Sequence, residues 1–306
     1  MILLTLYIIS KIKYKRSLMS TLAEIYLKLT KDKSSKKKAY KRLIKLKNKK
    51  EKPYFIPKNI RFKVSVFRSI FENTPIYTLN NGDKDKVILY FHGGGYQRQP
   101  LYFHWRFLNK LAQNTNAKII VPIYPKTPKY DYTHSHKILT NLYKSILSEG
   151  KKVILAGDSS GGGLCLALCQ SFEKSGILQP EKVITLAPWV DVTMSNPEIT
   201  KIERVDPKLN SNVARVLGEF WANGQDLKDY KISPLYGDFK GLNNVYIFIG
   251  TRDILYPDNL LLYNKLQKEG VNAYLTVGTN LNHVYPVYPT VEGKKAIEQI
   301  SKIISS

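Results

Sequence analysis

The sequence has little cysteine and no long apolar run. Two cysteines in 306 residues exclude a disulfide scaffold and a four-cysteine zinc site. No apolar stretch approaches the roughly 20 residues that a membrane-spanning helix needs. Hydrophobic residues make up 43% of the chain, which excludes a disordered or fibrous protein. A chain of this length can bury an ordinary globular core without disulfide bonds or structural metal ions to stabilise it.

Acidic residues are also scarce, because 24 Asp and Glu stand against 48 Lys and Arg, a formal net charge of +24. Residues 1–52 hold 17 basic and 3 acidic residues, which is more than half of the excess. A basic segment of this kind is typical of proteins that bind nucleic acid or an anionic membrane surface. Only nine of the basic residues are Arg, whereas nucleic-acid sites favour Arg. We therefore attribute the positive charge to a general bias of the composition toward lysine. We expect no nucleic-acid partner and keep weak contact with an anionic membrane as an alternative.

The first nine residues are apolar and lysines follow them, which reverses the order of a secretory signal and predicts a cytoplasmic protein. This stretch has three interpretations: a weak interfacial anchor, a buried helix or strand, or sequence upstream of a natural start at Met19. Thr21 and Glu24 have the spacing of a capping box at the start of a helix. Four apolar residues then recur on one helical face, Leu22, Ile25, Tyr26 and Leu29.

A second basic helix is predicted from Ser35 to about Lys49, with an apolar stripe and a lysine face. It would pack on the body of the protein, or act as a lid over a pocket. We treat residues 1–52 as a basic helical segment, with 1–18 as the part upstream of the alternative start. Residues 53–306 are then the main domain.

Short apolar runs alternate with helical patterns in the main domain, which predicts a mostly parallel sheet with helices on both faces. Apolar and polar residues alternate over 60–66, which indicates a first strand. Residues 75–79 are predicted to form its partner strand, and residues 80–83 a turn. Six continuous apolar runs follow, at 87–91, 118–123, 153–156, 183–187, 245–249 and 273–277. Helices are expected at about 101–113, 133–148, 161–173, 257–269 and 289–303. Residues 190–243 show no clear strand and resemble an insertion.

The most informative motif is G-x-S-x-G at residues 157–161, directly after a predicted strand and before a predicted helix. That context is typical of a nucleophile elbow, in which a sharp turn exposes the serine oxygen at the edge of the sheet. Ser159 is the predicted nucleophile. The alternative is an ordinary glycine-rich turn.

A second motif, HGGG, follows an earlier predicted strand. Glycines leave their N–H groups free to face an anion, and lipases and esterases use this loop with the residue after the nucleophile as an oxyanion hole. A phosphate loop would require a following Lys-Ser or Lys-Thr, which is absent. The predicted oxyanion donors are Gly94, Gly95 and Ser160, on a loop that includes His92 and Gly93.

With these two motifs the chain resembles the hormone-sensitive-lipase group of α/β-hydrolases, which are carboxylesterases and lipases. Supporting segments lie at 187–191, 233–234 and 250–255. The resemblance implies an eight-stranded, mostly parallel sheet under a helical cap, here built from the N-terminal helices and an insertion at about 190–235. It implies no cofactor and no metal.

The remaining triad members follow from chain order, which in this fold is Ser, then Asp or Glu, then His. His283 is the only histidine after Ser159, and it follows a predicted strand. Asp253 follows strand 245–249 through a small turn. Asp258 is the second candidate, but its position favours helix capping. Asp191, Asp206 and Asp226 precede the last two strands and suit the insertion better.

The family usually has Tyr-Arg-Leu-Ala-Pro-Glu where residues 124–129 read YPKTPK, so a supporting carboxylate is missing. Ser160 also stands where Ala is commoner. Four aromatic residues are candidates for the substrate pocket, Tyr96, Trp189, Trp221 and Tyr285. The favoured function is a serine esterase for short-to-medium acyl esters. Alternatives are a longer-chain lipase, an amidase or deacetylase, or a non-catalytic binder.

Overall fold

The computed structural model describes residues 2–82 and 84–306, and its centre is one eight-stranded sheet. The strands are β1 (Val66–Phe71), β2 (Thr74–Leu79), β3 (Lys86–Phe91), β4 (Lys118–Pro122), β5 (Lys152–Asp158), β6 (Lys182–Leu186), β7 (Asn244–Gly250) and β8 (Ala273–Gly278). Their order in the sheet is β1-β2-β4-β3-β5-β6-β7-β8. Strand β2 runs antiparallel to both neighbours, and all other pairs are parallel. The mostly parallel sheet is confirmed.

Helices connect the strands and precede the sheet. They are α1 (Ile2–Ile8), a π-helical turn (Ile9–Lys13), α2 (Leu18–Leu29), α3 (Lys36–Lys47), α4 (Tyr102–Thr115), α5 (Tyr132–Ser148), α6 (Ser160–Lys174), α7 (Glu198–Glu203), α8 (Ser211–Ala222), α9 (Tyr256–Lys268) and α10 (Val291–Ser305). Short 3-10 helices cover Pro234–Tyr236 and Tyr285–Val287. Within the described ranges, no helix has both the length and the apolarity needed to cross a bilayer.

Two apolar layers cover the two faces of the sheet. Successive residues of β5 alternate between them, since Val153 and Leu155 join one cluster and Ile154 joins the other. Helices α5, α6 and α9 bury the first layer, and α4 and α10 bury the second. Because both faces of the sheet are covered, the central strands appear in the sequence as continuous apolar runs.

The basic helix α3 packs against α8 through a separate small cluster. Ala39 and Leu43 of α3 meet Val213 and Val216 of α8, and all four side chains are buried. The ring of Tyr40 also lies 5.3 Å from that of Phe220, between centroids. A segment from the N-terminal region and a segment from the 190–243 stretch therefore share one apolar contact.

The prediction of a first strand over 60–66 was wrong. The strand begins at Val66, and Ile60, Phe62 and Val64 lie outside it, where they pack half-buried on the second apolar layer. Glu72 and Asn73 both have positive φ values, 43° and 62°, and form a two-residue hairpin turn. That turn pairs Phe71 with Thr74 and so fixes the strand immediately before it. The predicted 80–83 turn ends on Asp83, which lies outside the described residues.

The predicted capping box at Thr21 and Glu24 was also wrong. Helix α2 begins at Leu18, and Ser17 is its N-cap, whose hydroxyl accepts a hydrogen bond from the Ser20 N–H at 3.2 Å. Thr21 and Glu24 are interior residues of the helix, and both are buried. The second basic helix agrees with its prediction, since Ser35 caps α3.

Candidate active site

Ser159 occupies a strained turn between β5 and α6. Its backbone has φ 53° and ψ −121°, and its N–H donates to the Leu186 carbonyl at 2.8 Å. The turn needs small neighbours: a Cβ on Gly157 would lie 2.6 Å from the Gly161 carbonyl oxygen, and one on Gly161 would clash with the carbonyl of Phe91. The G-x-S-x-G pattern thus provides the close strand–helix approach that holds the serine at the edge of the sheet.

The Ser159 side chain lines a cavity of about 180 Å³ at this edge. Gly93, Gly94, Gly95 and His283 line the same cavity. The structure therefore brings the serine, the glycine loop and the last histidine of the chain to one space. Most of the remaining wall is apolar, including Leu101, Phe103, Leu209, Val213, Leu217, Ile254, Val284 and Val287.

His283 is held by Asp253. The imidazole Nδ1–H donates to Asp253 Oδ2 at 2.6 Å, which leaves Nε2 as the nitrogen that can accept a proton. Burial lowers the pKa of His283, but the negative charge of Asp253 and the hydrogen bond to it outweigh burial and raise the pKa above the ordinary value. Asp253 is fully buried, and its other oxygen accepts the Leu255 N–H at 2.9 Å. These contacts fix both side chains.

Asp258, the second candidate for the acid, does not contact His283. It lies in the first turn of α9, and its Oδ1 accepts a hydrogen bond from Asn196 Nδ2 at 2.8 Å. The cap residue of this helix is Leu255, so the predicted capping role of Asp258 was wrong. Burial, assisted by the nearby charge of Asp191, raises the pKa of Asp258 to about 7.

A second carboxylate, that of Asp206, lies beside the candidate acid in the structure, whereas the sequence analysis assigned Asp206 only to the insertion. Asp206 is buried between α7 and α8, and its Oδ2 accepts the Ile254 N–H at 2.9 Å, one residue after Asp253. Its Oδ1 accepts the N–H groups of Lys208 and Leu209 at 2.7 and 2.8 Å. Burial and the charge of Asp253 raise the pKa of Asp206 to about 6. Asp206 thus ties the insertion to the loop of the candidate acid.

The glycine loop presents unused donors to the cavity. Gly94 and Gly95 have φ values of 122° and 64°, which turn the loop back on itself. Among the described residues, the N–H groups of Gly94, Gly95 and Ser160 donate no backbone hydrogen bond. Gly93 differs, because its N–H donates to Asp158 Oδ1 at 2.8 Å and a Cβ there would clash with that carboxylate. The Gly93 N–H is therefore engaged, whereas the N–H groups of the next two residues remain free to bind a ligand.

Asp158, the residue before the candidate nucleophile, organises this loop, and sequence reasoning missed it. Besides the Gly93 N–H, its carboxylate accepts the Tyr90 hydroxyl at 2.7 Å and His104 Nε2–H at 3.1 Å. Burial raises the pKa of Asp158, but His104 and these hydrogen bonds outweigh burial and hold it below the ordinary value. The only sequence signal was an Asp inside the elbow motif, which carries no information about partners.

Ser160 and Thr127 form hydrogen bonds with the backbone of Tyr96, the residue that follows the glycines of the loop. The Ser160 hydroxyl accepts the Tyr96 N–H at 3.2 Å, a contact that Ala could not make. The Thr127 N–H and hydroxyl both donate to the Tyr96 carbonyl, at 2.8 and 3.0 Å. Lys126, also in the divergent 124–129 segment, is buried and donates to the Tyr124 carbonyl at 2.7 Å. Residues that depart from the family pattern therefore hold the loop here.

Only one of the four aromatic pocket candidates lines the cavity. Trp189 is part of the wall, whereas Tyr96, Trp221 and Tyr285 are buried outside the cavity lining. Tyr96 and Trp221 stack on each other with ring centroids 4.0 Å apart, and Tyr96 also lies 5.5 Å from Trp189. Such ring contacts bury large apolar area between layers rather than exposing it to a ligand.

A family model described as the alpha/beta hydrolase fold matches residues 88–287. The chain therefore belongs to this family, and the predicted fold and family resemblance are confirmed. It is similar to the crystal structure of a candidate esterase from Staphylococcus aureus, with 31% identity, a TM-score of 0.81, and coverage of 88% of this chain and 92% of that one.

Two further relatives are informative. An acetyl-hydrolase from Streptomyces hygroscopicus is 27% identical over 218 residues, which cover 70% of this chain and 73% of the relative. The structure of an esterase from the bacterial hormone-sensitive lipase family has a TM-score of 0.80 at 23% identity, covering 95% and 98% of the two chains. The latter likeness supports the fold.

Proposed function

We propose that this protein is a serine carboxylic-ester hydrolase that acts through an acyl-enzyme on short-to-medium acyl esters. Membership of the α/β-hydrolase family and the named relatives support a hydrolase of the esterase and lipase type. The observation that carries the finer proposal is the 2.6 Å pair of His283 and Asp253 on the cavity that Ser159 lines.

In the proposed reaction, Ser159 Oγ attacks the ester carbonyl while His283 Nε2 takes its proton. The tetrahedral intermediate expels the alcohol, which receives that proton from His283. An acyl-enzyme on Ser159 remains. Water, deprotonated by His283, then attacks the acyl carbonyl. The second tetrahedral intermediate releases the acid, and Ser159 Oγ takes the proton back from His283. Asp253 keeps the imidazole in one tautomer and stabilises its charged form throughout.

The negative oxygen of the intermediate needs fixed donors. The free N–H groups of Gly94, Gly95 and Ser160 would supply them, because they are preorganised by the Asp158 and Tyr96 contacts described above. One such donor is worth about 10² to 10³ in kcat. Ser160 therefore has two roles in the proposal, its N–H toward the oxyanion and its hydroxyl toward the loop.

The size of the cavity supports the short-to-medium acyl preference. Pockets for drug-sized ligands have volumes of roughly 300–1,000 Å³, and this one has about 180 Å³. We propose that α3 and α8, with the rest of the 190–235 insertion, form the cap over it. Leu209, Val213 and Leu217 support this, since they come from the insertion and line the cavity.

Ser159→Ala tests the mechanism. It should lower kcat by about 10⁴ to 10⁶, by analogy with triad deletions. A serine-directed phosphonate should add one label to the wild type, located at Ser159 by peptide mass spectrometry, and none to the variant. Ser160→Ala is the matched control: it keeps its N–H donor and should still be labelled. Labelling at another residue, or full activity of Ser159→Ala, would overturn the proposal.

A further inference from the structure

Helix α2 directs its polar side toward the protein and its apolar side outward. Three of its four buried residues are Ser20, Thr21 and Glu24. The exposed large apolar residues lie on the opposite side of the helix, at helical spacing, and are Met19, Ile25, Tyr26 and Leu29. This is the reverse of an ordinary surface helix, in which the apolar stripe faces the core.

Polar contacts fix the rotation of α2. Glu24 forms an ion pair with Arg16 at 2.6 Å and with Arg252 at 3.1 Å. The Ser20 hydroxyl donates to Glu292 at 2.7 Å, and the Thr21 hydroxyl oxygen accepts Arg16 Nε–H at 3.1 Å. Turning the helix to bury its apolar stripe would leave two arginines and a carboxylate without partners, at a cost of several kcal/mol. The apolar stripe therefore stays outside.

The segment before α2 presents further apolar side chains. Ser10 donates its hydroxyl hydrogen to Thr21 at 2.7 Å, so the end of this segment lies directly beside α2. Its exposed large apolar residues are Leu3, Leu4, Tyr7, Ile8 and Ile12. Together with Met19, Ile25, Tyr26 and Leu29 they form what we call the N-terminal apolar surface. Exposed large apolar residues in such number, on two segments that contact each other through Ser10 and Thr21, mark an interaction site.

Lysines accompany this surface. Lys11, Lys13, Lys15 and Lys28 are exposed, and residues 1–52 carry 17 basic against 3 acidic residues. We infer that the N-terminal apolar surface binds to an anionic lipid membrane, with apolar residues in the headgroup–acyl boundary and lysines against the headgroups. Helices of this composition lie in the plane of the interface, and each lysine near an anionic surface adds attraction.

Charge favours a membrane over a second copy of this chain. A twofold contact would bring two strongly basic segments together, and like charges across an interface oppose association. An anionic membrane meets the same lysines with opposite charge. The end of α2 also adjoins the cavity, because Lys208, which lines it, donates from Nζ to the Thr30 carbonyl at 3.2 Å. Binding by this surface would place the cavity near the lipid.

Vesicle sedimentation of the full chain tests the inference. The protein should sediment with vesicles of equal parts phosphatidylcholine and phosphatidylserine, and much less with phosphatidylcholine alone. Leu29→Glu should lower the partition coefficient by about tenfold or more, because one leucine leaves the lipid and a carboxylate meets it. Ile12→Glu should cause a similar loss independently. Leu29 is 82% exposed, so the fold should be unaffected, which a thermal melt checks.

Leu178→Glu is the matched control, since this leucine is 72% exposed and belongs to another part of the chain. It should bind vesicles as the wild type does. Three results would overturn the inference: no sedimentation with anionic vesicles, equal binding of Leu29→Glu and wild type, or equal losses in Leu29→Glu and Leu178→Glu. A vesicle-free dimer that Leu29→Glu converts to monomer would assign the surface to a second copy instead.

Discussion

Arg252, the residue before Asp253, donates a hydrogen bond from Nη2 to Oε1 of Glu24 in α2, at 3.1 Å. Arg16 binds the other oxygen of the same carboxylate at 2.6 Å and donates to the Asn280 carbonyl, also at 2.6 Å. The N-terminal segment is thereby tied to the two loops that carry the candidate acid and histidine. Residues far apart in sequence stabilise the geometry on which the proposed reaction depends.

Glu24→Gln should destabilise the protein by about 3 kcal/mol, because it leaves the buried Arg16 and the partly buried Arg252 without their carboxylate. Urea unfolding measures this. The burial of Glu24 raises its pKa, but Lys28 and Arg16 outweigh burial and lower the pKa below the ordinary value. This contribution to stability is therefore present above the unfolded pKa and is lost as pH falls, so the difference between wild type and variant should shrink in acid.

Lys28→Ala is the control for that variant. Lys28 pairs with the same carboxylate at 2.7 Å, but its side chain is 54% exposed. Exposed pairs contribute about 0–1 kcal/mol, so the control should be nearly neutral. Equal losses in the two variants would contradict the assignment of stability to the pairs with Arg16 and Arg252.

The identity of the acid is tested by comparing two aspartates. Asp253→Asn should lower kcat by roughly 10⁴ while the fold persists, because tautomer control of His283 is lost. Asp258→Asn should leave kcat close to that of the wild type, since Asp258 contacts Asn196 and not His283. Steady-state hydrolysis of a nitrophenyl ester measures both. A larger loss in Asp258→Asn would refute the assignment.

Asp258 should instead affect how the stability of the protein changes between about pH 4 and 7. Its pKa rises from 3.8 to about 7 in the folded protein, so the unfolded state binds fewer protons between these values. The contribution of this group to stability therefore falls as pH rises from about 4 to 7. Asp258→Asn should remove that fall, and at pH 8 its Tm should exceed the wild-type Tm by several degrees, at about 2 °C for each kcal/mol. Parallel Tm curves of variant and wild type against pH would exclude this role.

The pH dependence of kcat/KM should report His283. The base must be neutral, so activity should rise with pH through one apparent pKa. Asp253 raises the pKa of His283, and the midpoint should therefore lie above the ordinary value of about 6.5. In Asp253→Asn the residual activity should show a lower midpoint, because the charge is removed and burial remains. An unchanged midpoint would mean that another group controls the profile.

The sequence was sufficient for strands β3 to β8 and for the positions of the elbow turn and the glycine loop, because each depends on local signals. Continuous apolar runs reflect strands covered on both faces, and glycines at 157 and 161 reflect close backbone contacts. It was insufficient for Asp158 and Asp206, whose partners come from distant parts of the chain. A carboxylate alone does not indicate which N–H groups or imidazole it meets.

Helix α2 shows a different limit. The sequence showed an apolar stripe on this helix, and in the structure three polar residues occupy the face toward the protein. Their partners, Arg16, Arg252 and Glu292, include two residues more than 200 positions away in the chain. Periodicity identifies the sides of a helix and not which side is buried. Contacts decide that, and here ion pairs outweighed the apolar stripe.

Acyl length tests the proposed cavity. Activity on nitrophenyl esters should rise from acetate toward butyrate or hexanoate by about fourfold for each methylene that fits, since each contributes about 0.8 kcal/mol. It should fall steeply beyond that, because the cavity is about 180 Å³. Leu217→Ala shortens a side chain in the cavity wall and so enlarges the cavity. It should move the preferred acyl length to longer chains. Leu227→Ala, at a half-buried position outside the cavity lining, should not move it. A preference for palmitate in the wild type, or equal profiles for both leucine variants, would show that this cavity does not hold the acyl chain.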